Sequence, residues 1–105
     1  MLTRPVRLDT FTEIVKTGCG KAYITATPYV SGQYFEISGL LGKSGNCSAA
    51  QCDALGCLIT ELVNHGGDPK TIARSLSKIR CPQDSKFLKS CAAAFADVLL
   101  KATTI

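Results

Sequence analysis

The chain reads as a single α+β domain: a small antiparallel sheet of about three strands from its N-terminal part, packed against about three helices from its C-terminal part. Two patterns predict this class. Apolar residues alternate with period two before about position 40, and from about position 48 onward they recur at three- and four-residue intervals. Length agrees, because 105 residues with 46% hydrophobic content bury one modest core, so residues 1–105 form one domain without repeat or linker.

The first strand is expected where Phe11, Glu13 and Val15 alternate with Thr12, Ile14 and Lys16. Lys21 to Thr27 alternates Ala22, Ile24 and Ala26 with Tyr23 and Thr25 and gives the second. Between them Thr17-Gly18-Cys19-Gly20 is a tight-turn signal, since glycine reaches positive φ without steric cost, and the two strands form a hairpin. Gln33 to Ser38, after the turn-like Pro28–Gly32, is the expected third strand and extends the hairpin to a meander.

Gly42-Lys43-Ser44-Gly45-Asn46 follows as a glycine-bearing loop, and Ser48 with Gln51 makes a capping-box signature for a helix running to about His65. Cys52, Leu55, Ile59, Leu62 and Val63 fall on one face of it. Gly66-Gly67 offers a left-handed stop, and Asp68-Pro69 starts a second helix with a capping acid and a first-turn proline. Ile72, Leu76 and Ile79 form its expected buried stripe, closed by Cys81-Pro82. A third helix is expected from roughly Ser85 to Ala102, with Phe87, Cys91, Phe95, Val98 and Leu99 on one side.

Twelve Lys and Arg against eight acids give a net charge of +4 with no block of like sign. That suits solubility and tolerates an anionic ligand, while the absence of Trp and of any basic-aromatic stripe argues against nucleic-acid binding. No apolar run supports export or membrane insertion, so the cytoplasm is the expected compartment. Six cysteines in a reducing compartment point to metal ligands, redox chemistry or buried thiols rather than to three disulfides.

Four of those cysteines, Cys19, Cys47, Cys81 and Cys91, sit at expected element boundaries or in the first turns of a helix. Four thiolates converging there would suit tetrahedral zinc and tie sheet to helices; the alternative is that each is a small buried hydrophobe. Cys52 continues the apolar stripe and reads as core. Cys57, rotated by ~140° at 100° per residue, points away from it toward a subunit contact or plain exposure, and with the apolar content it favours a homodimer. The Gly42–Asn46 loop and Ser48 aim free N–H groups at whatever lies before the first helix, so Gly42, Lys43, Ser44, Gly45, Asn46 and Ser48 are candidates for holding a nucleotide or other phosphate-bearing small molecule, though the loop lacks the GxxxxGK[ST] pattern. His65 suits the negative end of the helix dipole, and no catalytic triad or paired-carboxylate set can be assembled.

Thr17-Gly-Cys-Gly-Lys-Ala-Tyr-Ile-Thr25, Gly42-Lys-Ser-Gly-Asn-Cys47, Ile79-Arg-Cys-Pro82 and Ser90-Cys91 resemble, in the same order, the TSCPD domain, over about positions 4 to 100. That domain occurs near the C-terminus of adenosylcobalamin-dependent ribonucleotide reductases and as short standalone proteins. The resemblance implies a metal site at Cys19, Cys47, Cys81 and Cys91, with zinc as the metal. The name-giving Thr-Ser-Cys-Pro-Asp is here Lys89-Ser-Cys-Ala-Ala93, without the proline and the acid. Cys57 stands where the reductase domains look to carry a basic residue. The catalytic barrel needs several hundred residues, so no adenosylcobalamin and no reductase activity are expected of this chain alone. The expected roles are a metal-stabilised accessory module acting with a ribonucleotide reductase or its substrates, a standalone nucleotide- or anion-binding protein, or a thiol redox carrier.

Overall fold

The computed structural model describes residues 3–18, 20–42, 47–80 and 90–104, with the backbone alone for Cys47 and Ser48. Three strands, β1 (Phe11–Thr17), β2 (Gly20–Ala26) and β3 (Ile37–Leu41), precede three helices, α1 (Cys47–Asn64), α2 (Pro69–Leu76) and α3 (Cys91–Ala102). The sheet is an antiparallel meander of order β1-β2-β3, in one-to-one register from Phe11 opposite Ala26 to Thr17 opposite Gly20, and from Ala26 opposite Ile37 to Ala22 opposite Leu41. This is the expected α+β class. Gly20 takes φ +127° in the hairpin turn, a conformation only glycine adopts freely.

One face of the sheet carries the core. Ala22, Ile24, Ala26, Ile37 and Leu41 project inward against Cys52, Ile59 and Val63 of α1 and Phe95, Val98 and Leu99 of α3, all buried. α1 packs along β3, α3 crosses β2 and β1, and α2 lies against α3. Glu13 falls on the inward register of β1, and its carboxylate pairs with Lys101 of α3, which answers the charge at the rim of the core.

The third strand lies three to four positions beyond the expected Gln33–Ser38. Gly39 reads as a breaker in sequence, yet it sits mid-strand because there is no room there for a side chain. A Cβ would overlap the Phe95 ring and come within 3.0 Å of Cys52 Sγ. The residues before it are held by α1 instead. Asn64 Oδ1 accepts from Phe35 N (2.8 Å) while its Nδ2 donates to Phe35 O (2.7 Å). One turn earlier, Thr60 Oγ1 stands 3.0 Å from both N and O of Ile37. Two side chains four residues apart on α1 thus satisfy the outward backbone groups of Phe35 and Ile37, on the approach to β3 and at its first residue, as a neighbouring strand would. Gly56, one turn further back, lets the helix approach this closely, since a Cβ there would lie 3.1 Å from Ile37 O.

Several helix limits differ from expectation. α1 begins at Cys47, so Ser48 lies inside the helix rather than capping it. Leu62 is 53% exposed, because the line Cys52, Gly56, Thr60, Asn64 faces β3 and turns Leu62 outward. The helix stops as expected: Gly66 takes φ +99°, its N–H bonds to Val63 O, and Gly67 N–H reaches Leu62 O at 2.8 Å. His65 Nδ1 lies 2.8 Å from Glu61 O among the last carbonyls. α2 starts at Pro69 behind Asp68, whose carboxylate accepts from the Thr71 hydroxyl at 2.8 Å. It ends at Leu76, where the Ser77 hydroxyl turns back to Arg74 O, so Ile79 is outside the helix and half exposed. α3 starts at Cys91 rather than near Ser85, because Ser90 is extended (φ −68°, ψ 161°) and its Oγ accepts from Ala93 N at 3.0 Å. Phe87, expected on that stripe, and Pro82 lie outside the described residues.

Candidate functional site

The expected ligands belong to the hairpin turn, the loop before α1, the α2–α3 connection and the start of α3, and the structure describes the residues that flank them. Of the expected metal ligands, Cys91 is described in full: it occupies the first position of α3, is half-buried, and its Sγ lies 3.8 Å from Thr17 Oγ1 at the end of β1. Thr17 Oγ1 in turn donates to Gly20 O at 2.6 Å, which ties the hairpin turn across its base. Cys19 and Cys81 lie outside the described residues, as do Lys43, Ser44, Gly45 and Asn46; of Cys47 and Ser48 only the helical backbone is described. Among the described residues no group of three or more His, Cys, Asp or Glu side chains could hold a metal, and three of the four candidate thiols are not among them.

The neighbours of those thiols are nevertheless joined. Ser90 Oγ donates to Ile79 O at 2.6 Å, so the chain on either side of residues 80–89 is pinned together, two positions before Cys81 and one before Cys91. Gly42 N donates to Lys21 O at 2.8 Å, so the exit from β3 stays beside the strand that leaves the Cys19 turn. The flanks of Cys19, Cys81 and Cys91 are thereby linked, while α1, opening on Cys47, follows the Gly42 exit after four intervening residues. Cys47 and Cys91 both stand at helix starts, where unpaired N–H groups and the positive dipole end favour an anionic neighbour. A zinc ion with four thiolates carries two net negative charges, so donor set and helix ends are chemically matched.

Beside the loop lies a feature the sequence alone did not mark. Lys16 and Lys21 are direct cross-strand partners on the exposed face, and Gly42 packs against Lys21. Like charges opposite one another cost stability in a sheet, and an anion between them would relieve it. The signal was latent in the register: a turn of Gly18 and Cys19 puts residues 16 and 21 opposite each other. Thr17, the hydroxyl against Cys91, carries no such signal, because the start of α3 reaches it from 74 positions away.

The other two cysteines separate as their helical positions predict. Cys52 is 1% exposed in the core. Cys57 is exposed and lines an open cleft of about 240 Å³ with Ser38, Asp53, Thr60 and Glu61. None of Cys52, Cys57 and Cys91 forms a disulfide. At the far end of the sheet Arg4 holds Glu36 through Nε–Oε1 (2.8 Å) and Nη2–Oε2 (3.3 Å), and Tyr34 donates to the same carboxylate at 2.9 Å. The Arg4 hydrogen bond holds the Glu36 carboxyl below its usual range against the opposing effect of burial, whereas burial first, and then donation to Glu36, raises the Tyr34 phenol.

The TSCPD domain model matches residues 2–103, nearly the whole chain, and the protein belongs to the TSCPD domain family. No curated protein and no solved structure matches the chain. Among the described residues no helix is long and apolar enough to cross a membrane.

Proposed function

We propose that the protein is a non-catalytic, metal-stabilised accessory module of nucleotide metabolism, in which Cys19, Cys47, Cys81 and Cys91 hold one zinc ion. The observation that carries this reading is the meeting of Cys91 with Thr17 at the base of the Cys19 turn, 3.8 Å apart although 74 positions separate them. The Ser90–Ile79 bond, which brings the flank of Cys81 to the same place, supports it. Zinc bound there would cross-link the hairpin, α1, the α2–α3 connection and α3, adding binding free energy to a domain whose small sheet offers limited core. The resemblance to a reductase domain supports a role beside a ribonucleotide reductase or its substrates. Metal analysis of protein purified without chelator tests the site: about one zinc per chain is expected, and removal by a strong chelator should lower the thermal midpoint.

A second reading is favoured by the Lys16–Lys21 pair: the Gly42–Asn46 loop, Ser48 and these lysines bind the phosphate of a nucleotide or another small anion. Calorimetry against mono-, di- and cyclic nucleotides tests it. Lys43→Ala and Lys21→Ala should each weaken phosphate-dependent binding, and unchanged affinity in both variants would refute it. A thiol-carrier role would require reversible oxidation by a mild disulfide without loss of fold.

A further inference from the structure

The two edges of the sheet are treated differently. Thr60 of α1 bonds the outward N–H and C=O of Ile37, where β3 begins, and Asn64 those of Phe35 just before it, whereas among the described residues no strand pairs with the outer edge of β1. The hairpin geometry says which groups are left over. Thr17 stands opposite Gly20 at the hairpin end, and the two exchange backbone bonds, as do the pairs 15/22, 13/24 and 11/26. Gly42 N bonding to Lys21 O and Thr27 N bonding to Glu36 O agree with this phase, since odd positions of β2 then face β3. Thr12, Ile14 and Lys16 therefore direct their N–H and C=O groups away from the sheet. Of the usual edge protections β1 carries Lys16 and the inward-facing Glu13, whose charge Lys101 answers; no proline interrupts it, and its one-to-one register leaves no bulge.

We propose that a second copy of this chain occupies this edge, β1 pairing antiparallel with β1 of the partner about a two-fold axis at Ile14, to give a six-stranded sheet. The register is chosen by the residues. Centred on Ile14, all three outward-facing positions find partners, with Ile14 opposite its own copy and Thr12 opposite Lys16 on both sides of the axis. On the inward face Glu13 stands opposite Val15. No like charges oppose each other, whereas a register centred on Lys16 would set two ammonium groups together. The open face gains as well. Ile14 (62% exposed), Tyr23 (38%) and Leu40 (65%) are cross-strand neighbours in a single row, and pairing about Ile14 turns two short apolar rows into one band across six strands, with the isoleucines covering each other. One strand pair is small beside the ~800 Å² per partner of a standard interface, so the dimer forms with rising concentration and is not obligate.

Sedimentation velocity across a micromolar to millimolar series is expected to show a reversible monomer–dimer equilibrium for the wild type. Thr12→Lys puts cations opposite Lys16 twice and should weaken dimerisation at least about tenfold, and the double variant Thr12→Lys/Lys16→Glu should restore it. Both positions are exposed, and circular dichroism with the thermal midpoint establishes that each variant is folded. A wild type that stays monomeric throughout overturns the proposal. So does a dimer that the Thr12→Lys substitution leaves unchanged, which would place the contact elsewhere, such as the Cys57 face of α1.

Discussion

Replacing Asn64 by alanine tests how the sheet edge is held. Asn64 satisfies both backbone groups of Phe35, at 2.8 and 2.7 Å, and Phe35 is fully buried. Truncation leaves one donor and one acceptor without their partner. An orphaned buried polar group costs ~1–3 kcal/mol, and because Asn64 is only half-buried, water re-enters and limits the sum to about 2–4 kcal/mol. The gain from alanine's helix propensity is below ~0.7 kcal/mol and smaller at a terminal position. For a domain of this size the loss corresponds to a fall of roughly 9–18 °C in thermal midpoint. Urea unfolding followed by circular dichroism measures it. Asn64→Asp keeps the acceptor but faces a carboxylate toward Phe35 O, so at neutral pH it should destabilise at least as much as alanine and recover when the carboxyl is protonated. A loss under ~0.5 kcal/mol for Asn64→Ala, the range of ordinary surface substitutions, would refute the edge-capping account.

Gly39→Ala should destabilise by about 1–3 kcal/mol through overpacking, because the new methyl meets the buried Phe95 ring; Gly39→Ala combined with Phe95→Leu should recover part of the loss in the same unfolding assay. Acid should weaken the Arg4–Glu36 contact in a defined direction. The folded carboxyl of Glu36 lies below its unfolded value of about 4.5, so its contribution is complete above that pH and is lost as pH falls through the folded value. The stability difference between wild type and Glu36→Gln should therefore be constant near pH 7 and shrink on acidification below about 4.5, and a difference that does not change with pH would contradict the assignment.

The fold was legible where periodicity and punctuation agree. The alternation of Ala22, Ile24 and Ala26, the Gly66-Gly67 stop and the Asp68-Pro69 start each appear at their expected places, because each depends on local backbone chemistry. The misplaced elements depend on tertiary contact. β3 was expected too early because Gly39 looks like a breaker until Phe95 and Cys52 are seen to fill its side-chain space, and Gln33–Glu36 looks like a strand although Asn64 holds its Phe35. α3 was expected too early because Ser90, an apparent helix interior, has its hydroxyl committed to Ile79 O and Ala93 N. At the candidate site, the four cysteines could be read from sequence as a group. Their neighbour Thr17 could not, since only the packing of α3 against β1 brings it to Cys91, and the opposition of Lys16 and Lys21 emerges only once the hairpin register is drawn.

The zinc site is tested most directly by elemental analysis and zinc-edge X-ray absorption on protein purified without chelator. About one zinc per chain is expected, in an all-sulfur shell of four thiolates at ~2.3 Å. Metal-free protein that is fully folded, with Cys19, Cys47, Cys81 and Cys91 all reacting as free thiols, would contradict it.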